Sequence, residues 1–156
     1  MARIIITLSI LFGLFALLRV GVALVSRTPA IGGIQSSGGN QQLGDCSKKP
    51  NCMGSQSSRK NQTVEALAIT SNASNAMPIL IAVIRELGGE IAQQQGKYLH
   101  ATFKTPVMGY TDDVELLVDK ANNVIQIRSA SRLGHSDLGA NKKRIDNIRL
   151  QLVGRL

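Results

Sequence analysis

The feature that most limits the fold is an apolar run near the N-terminus, "IIITLSILFGLFALLRVGVALV", residues 4–25. A bilayer span takes about 20 residues, so the run is long enough to cross a membrane as a helix. Arg19 interrupts the run, and the part before it also matches the apolar region of a long signal peptide behind the positive charge of Arg3. Segment 1–27 is therefore predicted to be a signal anchor or a signal peptide, and what remains is large enough for one small folded domain.

The residues after the run bear on whether it is cleaved. The stretch "SRTPA" has Thr28 and Ala30 at the offsets of a cleavage site, but Pro29 lies between them. We therefore expect an uncleaved single-pass anchor in the inner membrane, with Arg19 extending to the interface and the domain on the periplasmic or lumenal side. Secretion to the periplasm after cleavage is the alternative. Basic residues flank the run on both sides, so charge does not set its orientation.

The next two segments predict a linker and a disulfide. Residues 28–44 are rich in Gly, Ser and Gln and show no hydrophobic periodicity, which predicts a flexible linker. Cys46 and Cys52 follow with five residues between them, and two cysteines are too few for a structural zinc site. They predict a disulfide in an exported domain, or two free thiols in the cytosol. No metal site and no cofactor are predicted.

Charge and composition indicate the class of partner. The chain has 18 Lys and Arg against 10 Asp and Glu, a formal net charge of +8, which favours an anionic ligand, anionic lipid or a membrane-protein partner. Trp is absent and aromatic residues make up 3% of the chain, so base stacking has little to work with. Nucleic acid is an unlikely partner because no basic run with interleaved aromatic residues is present.

Hydrophobic periodicity over residues 45–156 predicts an α+β domain. Alternating or apolar-rich segments predict strands, and stripes at i, i+3, i+4 predict two helices. The resulting order is β-α-β-β-β-β-α, a mostly antiparallel sheet with two helices packed on its apolar face, preceded by the N-terminal transmembrane or signal helix. In chain order the predicted elements are strand 64–69, a helix with Leu80, Val83, Ile84 and Leu87 on its apolar face, strands 90–94, 97–105, 112–119 and 124–130, and a helix over about 138–153.

Side-chain parity in two of these strands predicts an ionic cluster. The apolar positions of 112–119 and 124–130 must share one face of the hairpin to be buried. Asp113 and Glu115 then lie on the opposite face together with Arg128 and Arg132. A four-residue loop over 120–123 pairs Glu115 with Arg128, whereas a register slid by two pairs Asp113 with Arg132. The predicted cluster comprises Asp112, Asp113, Glu115, Arg128 and Arg132.

Three blocks carry a resemblance to a known family: "CSKKPNCMGS", "TDDVELLVD" and "IQIRSASRLGHSDLGANKKRID". They resemble the signature blocks of the family catalogued as domain of unknown function 1499, over about residues 44–152. That family occurs in bacteria and plants, and some members resemble exported or lumenal proteins. The resemblance implies no activity and no substrate. It implies signature positions at Cys46, Pro50, Asn51, Cys52, Asp112, Asp113, Glu115, Arg128, Ser129, Ser131, Arg132, Gly134, Ser136, Asp137, Gly139, Asn141 and Arg144.

The last block supplies the candidate ligand or partner surface: Arg128, Ser131, Arg132, His135, Ser136, Asp137 and Asn141. Paired guanidinium groups can hold a phosphate or carboxylate, but the acids opposite them can equally saturate them, and we favour this structural interpretation. We expect the loop between Gly134 and Gly139 to fold back over the cluster, Asp137 to cap the last helix, and His100 to be exposed.

Two functional hypotheses follow. The first is a membrane-tethered, exported binding or assembly module that presents this Arg/Asp/Glu-rich surface to an anionic ligand or protein partner. The alternative is a small hydrolase that uses His135 with a nearby carboxylate. The chain lacks the G-x-S-x-G elbow of a serine hydrolase, and sequence neighbours rarely form a triad, so no catalytic residue is named and an enzyme is the less favoured reading.

Overall fold

The computed structural model describes residues 2–37, 40–70 and 75–156. Within these ranges the chain forms three α-helices and eight strands. They are α1 Ala2–Val25, β1 Ile34–Ser37, β2 Asn40–Leu43, β3 Cys52–Gly54, β4 Leu67–Ala68, α2 Ala76–Glu86, β5 Glu90–Gln95, β6 Tyr98–Lys104, β7 Thr111–Asp119, β8 Val124–Ser131 and α3 Ala140–Leu152.

Six strands form one antiparallel sheet in the order β3-β8-β7-β6-β5, with β4 also pairing with β8. The predicted α+β fold, with its mostly antiparallel sheet and two packed helices, is confirmed. The short edge strand β3 was not predicted, because three residues are too few to show an alternating pattern. The predicted strand 64–69 is also shorter than expected, since only Leu67 and Ala68 pair with β8.

The hydrophobic core lies between the sheet and the helices α2 and α3. On α2 the predicted stripe places Leu80, Val83 and Ile84 at 0% exposure, and on α3 Ile145 and Ile148 are equally buried. These side chains meet the apolar residues of the sheet in one continuous cluster. The face of the sheet toward the helices is therefore mainly apolar, and most of the charged side chains of the strands are directed to the other face.

The segment before the domain forms a third layer on that other face. Where composition predicts a flexible linker over 28–44, the structure has an antiparallel hairpin of β1 and β2, in which Ile34 pairs with Leu43. Leu43 is buried against Tyr98 and Leu117 on the sheet. The correction has a physical reason: main-chain groups of this segment bind charged side chains of the sheet, and composition does not report such bonds.

Helix α1 precedes this layer. It is long and apolar enough to cross a membrane, a test that a signal sequence also passes, and none of it is buried. Residues 17–25 of this helix lie beside the domain, because Leu17 and Val25 line a cavity together with residues of the folded part.

Candidate functional site

The polar face of the sheet carries the predicted pairing of acids and arginines. Glu115 on β7 lies opposite Arg128 on β8, and Arg128 Nη1 donates to Glu115 Oε2 at 2.7 Å. Arg132 donates to both carboxylate oxygens of Asp113, from Nε at 2.8 Å and from Nη2 at 2.7 Å. Asp113 itself lies opposite Ala130, so this second pair forms on the diagonal and the register slid by two is not the one adopted.

Two residues of β6 complete the cluster. The Tyr98 hydroxyl donates to Glu115 Oε1 at 2.8 Å, and His100 Nε2 lies 2.7 Å from Asp113 Oδ1. His100 is buried, so the expectation of an exposed histidine is corrected. Its position was readable from the strand pattern, because Tyr98 and His100 share the polar parity of β6. We use the name ionic cluster for Tyr98, His100, Asp113, Glu115, Arg128 and Arg132.

The protonation of the cluster follows from its contacts. Burial alone raises the pKa of Asp113, but hydrogen bonds from His100, from Arg132 and from the Ala30 N–H outweigh it and lower that pKa to about 2. Burial and the Glu115 carboxylate raise the pKa of Tyr98 well above its usual range. Asp113 is therefore an anion and Tyr98 a neutral donor throughout the physiological pH range.

The ionic cluster holds residues 26–33, which we call the covering segment, through its main chain. Asp113 Oδ2 accepts the Ala30 N–H at 2.7 Å, and the two oxygens of Glu115 accept the N–H groups of Gly32 and Gly33 at 2.8 Å each. The guanidinium groups bind carbonyl oxygens in turn: Arg128 Nη1 donates to Ala30 at 2.6 Å, and Arg132 Nη1 to Ser26 at 2.7 Å.

This contact removes the cluster from solvent. Asp113 and Glu115 have 0% exposure and Arg128 has 6%. The ionic residues are therefore not exposed. This corrects the first functional hypothesis, which assumed that they form a surface presented to a partner. The expected fold-back of the 134–139 loop does not provide the cover, because the covering segment occupies that place.

Asp112 does not belong to the cluster, which corrects the prediction. Successive side chains of a strand point to opposite faces, so Asp112 faces α3 while Asp113 faces the covering segment. Arg144 Nη2 on α3 donates to Asp112 Oδ2 at 2.5 Å, and its Nη1 donates to Asn141 Oδ1 at 2.7 Å. Arg144 also lies over the ring of Phe103, 5.0 Å from its centroid. The prediction omitted Arg144 from the site, although it lies in the last signature block.

Asn141 is a fully buried junction rather than a surface residue. Its amide nitrogen donates to the Asn51 carbonyl at 2.9 Å and to Ser131 Oγ at 3.1 Å, while Ser129 Oγ donates to its Oδ1 at 2.6 Å. These bonds fasten α3 and the disulfide loop to β8. Ser131 and Asn141, predicted as ligand residues, therefore serve the fold.

The loop between β8 and α3 keeps only part of the predicted surface. Asp137 Oδ2 accepts the Asn141 N–H at 2.8 Å and its Oδ1 accepts the Gly139 N–H at 3.1 Å, so Asp137 caps α3. His135 and Ser136 are exposed. Leu138 has 97% of its surface exposed and a left-handed backbone, with φ 53°.

The predicted disulfide is present: Cys46 and Cys52 are bonded. The bridge is buried against Ala130 of β8, with Ala30 of the covering segment packed on it. It therefore borders the same layer that the ionic cluster holds.

Two cavities flank the end of α1. The apolar groove, of about 800 Å³, lies between the last turns of α1 and the domain; its walls include Leu17, Leu18, Val22, Tyr110, Leu133 and Leu138. The basic pocket, of about 550 Å³, lies on another side of the helix, and its charged residues are Arg19, Arg27, Lys104, Arg132 and Glu90. Within the described ranges, no group of three His, Cys, Asp or Glu side chains could hold a metal ion.

These features define a disulfide-bonded α+β domain whose sheet is covered by its own N-terminal segment. The comparisons give the family. Residues 42–152 match the sequence model of a family described as "Protein of unknown function (DUF1499)", and the chain belongs to that family. No curated protein matches the chain. The family match contains every residue of the ionic cluster, whereas the covering segment lies before it.

Proposed function

We propose that this protein is an exported binding or assembly module that α1 holds at the membrane in a fixed orientation. The observation that carries the proposal is the bonding of the covering segment, which begins one residue after α1 ends, to the ionic cluster. A flexible tether would let the domain tumble away from the bilayer. A tether bound along its main chain keeps the domain against the membrane surface instead.

Two observations support export with a retained anchor. A disulfide is typical of an oxidising compartment outside the cytosol. Cleavage after Ala30 would remove the carbonyl groups that Arg128 and Arg132 bind and one N–H that Asp113 binds. Buried charges stripped of partners destabilise a fold, which favours the anchored form over the secreted one.

The partner we propose is anionic, and it would meet the basic pocket rather than the ionic cluster. Arg128 and Arg132 are already paired with acids. Arg19 and Arg27 are exposed, and neither forms an ion pair within the part of the chain that the structure describes. Anionic lipid headgroups at the bilayer surface, near the end of α1, carry the matching negative charge. The hydrolase hypothesis has less support, because the carboxylate oxygens of Asp137 are used by the N–H groups of α3.

The test is the state of the full chain in its native membrane. We expect the protein to stay in the pellet after carbonate extraction, to keep residues 1–30 in its intact mass, and to become protease-accessible when the outer compartment is opened. A soluble protein that begins at Ile31 would contradict the proposal. Binding to the membrane surface is tested with a variant in which Arg27 and Lys104 are replaced by Gln. After a protease has cut α1, the measurement is the salt concentration that releases the domain from the membrane. A variant with Lys142→Gln and Lys143→Gln on α3 is the matched control.

A further inference from the structure

The apolar groove joins the anchor helix to the signature loop of the family. One wall consists of α1 residues Leu17, Leu18, Gly21, Val22 and Val25. The opposite wall includes Leu133 and Leu138 of the loop before α3, and Tyr110 before β7. Its volume of about 800 Å³ is within the range of cavities that hold small molecules, and its walls are mainly apolar.

The height of the groove along α1 identifies its surroundings. A helix of 24 residues is about 36 Å long, whereas the hydrocarbon core of a bilayer is about 30 Å thick. A span that begins after Arg3 therefore leaves the hydrocarbon near Ala23. In the anchored form proposed above, Leu17 and Leu18 lie within the acyl chains, so the lower end of the groove opens into them rather than into water.

The loops around the groove also carry apolar side chains that water does not favour. Leu138 is 97% exposed and has φ 53°, a backbone conformation that L-residues rarely adopt. Val107, in the loop before β7, is 67% exposed. Both loops border cavities at α1, since Thr105 and Leu138 line the groove and Gly109 lines the basic pocket. Contact with lipid would bury side chains that the fold leaves bare.

We propose that the apolar groove binds the acyl chain of a bilayer phospholipid, which enters beside Leu17 and lies between α1 and the loop that carries Leu133 and Leu138. This inference rests on the proposed membrane tether, since α1 forms one wall of the groove. The polar residues of its lining include the acids Asp112 and Asp137, and among the described residues that line it there is no Lys or Arg to bind a phosphate. The groove therefore holds the apolar chain, and the headgroup stays outside at the membrane surface.

The experiment compares substitutions at two glycines of α1, Gly13 and Gly21. A Cβ placed on Gly21 or on Gly13 meets nothing within 4 Å, but only Gly21 lines the groove. The full chain is placed in nanodiscs of phosphatidylglycerol and phosphatidylethanolamine with a phosphatidylcholine probe that has a diazirine at mid-chain. After irradiation, adducts are mapped by mass spectrometry. We expect adducts on residues 133–138 in the native chain and in Gly13→Phe, and at least a tenfold loss in Gly21→Phe.

A second variant guards against a disturbed fold. Leu138→Asn keeps a side chain that tolerates the left-handed backbone, while it removes the apolar group from the groove. We expect it to lower labelling of the loop severalfold with the rate of proteolysis of the covering segment unchanged. Equal labelling of the loop in all four proteins would overturn the inference, and so would adducts confined to residues 2–16.

The outcome separates this inference from the proposed function. Carbonate extraction is run on the same membranes before reconstitution. Retention of the protein together with equal loop labelling in Gly13→Phe and Gly21→Phe overturns the groove and leaves the tether standing. Release of a protein without α1 overturns both, because the groove then lacks a wall.

Discussion

Glu115 and Arg128 lie directly opposite each other on neighbouring strands, and the carboxylate that accepts from Arg128 at 2.7 Å also accepts the N–H of Gly32 at 2.8 Å. One buried ion pair thus joins the sheet to the layer that covers it. Neither side chain has access to enough water to compensate for the loss of its partner. Removal of either residue therefore leaves the other as a buried charge without its partner.

Replacement of Arg128 or Glu115 should leave the other residue as a buried charge without a partner. We expect Arg128→Ala and Glu115→Ala each to lower the free energy of unfolding by about 3–5 kcal/mol, and the double variant to lose clearly less than the sum. Urea unfolding of the full chain in detergent micelles measures the three values. Lys142→Ala, which breaks an exposed pair with Asp146, is the control and should cost under about 1 kcal/mol. Additive losses would show that the two side chains do not act together.

The two faces of β7 should be energetically separate. Asp112 pairs with Arg144 and Glu115 with Arg128, on opposite sides of the sheet. We expect a double-mutant cycle of Asp112→Ala with Arg144→Ala to give a coupling energy of about 1–3 kcal/mol, and the cycle of Asp112→Ala with Arg128→Ala to be additive within about 0.5 kcal/mol. The same unfolding measurement serves for both cycles. Strong coupling between Asp112 and Arg128 would restore the single five-residue cluster that the sequence analysis predicted.

Acid should weaken the fold through Asp113. Its pKa is about 2 in the folded protein against an ordinary value of 3.8, so the unfolded chain binds the proton more readily. The resulting stabilisation, on the order of 2 kcal/mol, is complete above pH 3.8 and is lost as the pH falls toward 2. We expect Asp113→Asn to reduce the slope of stability against pH between 4 and 2, measured by urea unfolding. An unchanged slope in Asp113→Asn would contradict the assignment of this acid sensitivity to Asp113.

A methyl group on Gly32 should displace the covering segment. A Cβ at this position would lie 2.8 Å from the Gly44 Cα, a distance at which one of the two backbones must move. We expect Gly32→Ala to speed proteolytic cleavage within residues 26–33 by at least tenfold in the detergent-solubilised chain. Gly13→Ala on α1 has open space around its Cβ and should leave the rate unchanged. If Gly32→Ala is cut no faster than the native chain, the close approach of residues 32 and 44 is not what seats the segment.

A second substitution in the segment should be silent. The Ser26 Oγ is buried and has no hydrogen-bond partner among the described residues, while its carbonyl accepts from Arg132. We expect Ser26→Ala to change the free energy of unfolding by less than about 0.5 kcal/mol. The rate of proteolysis should also stay unchanged. A marked loss in either measurement would mean that the side chain, and not the main chain, is recognised.

The parity of β7 and β8 was enough to predict that Asp113 and Glu115 share a face with Arg128 and Arg132, because burial of the apolar residues leaves one arrangement of faces. Two registers remained open, and the structure has the one with the four-residue loop, in which Glu115 lies opposite Arg128. Asp112 was misassigned because it was grouped by its neighbour in the sequence, although adjacent strand residues face opposite ways. His100 was expected to be exposed because a histidine on the polar face of a strand is usually a surface residue, yet its strand parity already placed it beside Asp113.

The cover over the cluster could not be predicted in the same way. Its bonds use the N–H groups of Ala30, Gly32 and Gly33 and the carbonyl groups of Ser26 and Ala30, and every peptide offers such groups. No pattern of side chains over 28–44 distinguishes a bound strand of this kind from a loose one. The binding of the covering segment to the sheet therefore could not be predicted from a sequence whose folded domain was largely readable.

The recognition of peptide groups rather than side chains makes the N-terminal leader an exchangeable part. A different hydrophobic leader could be seated in the same place if it supplied a small residue at position 32 and free N–H groups at positions 30 and 33. Such a swap would change the N-terminal helix without altering any residue of the domain's core. The sequences of the N-terminal helix and of the domain can therefore change independently, provided that the ionic cluster still binds the main chain between them.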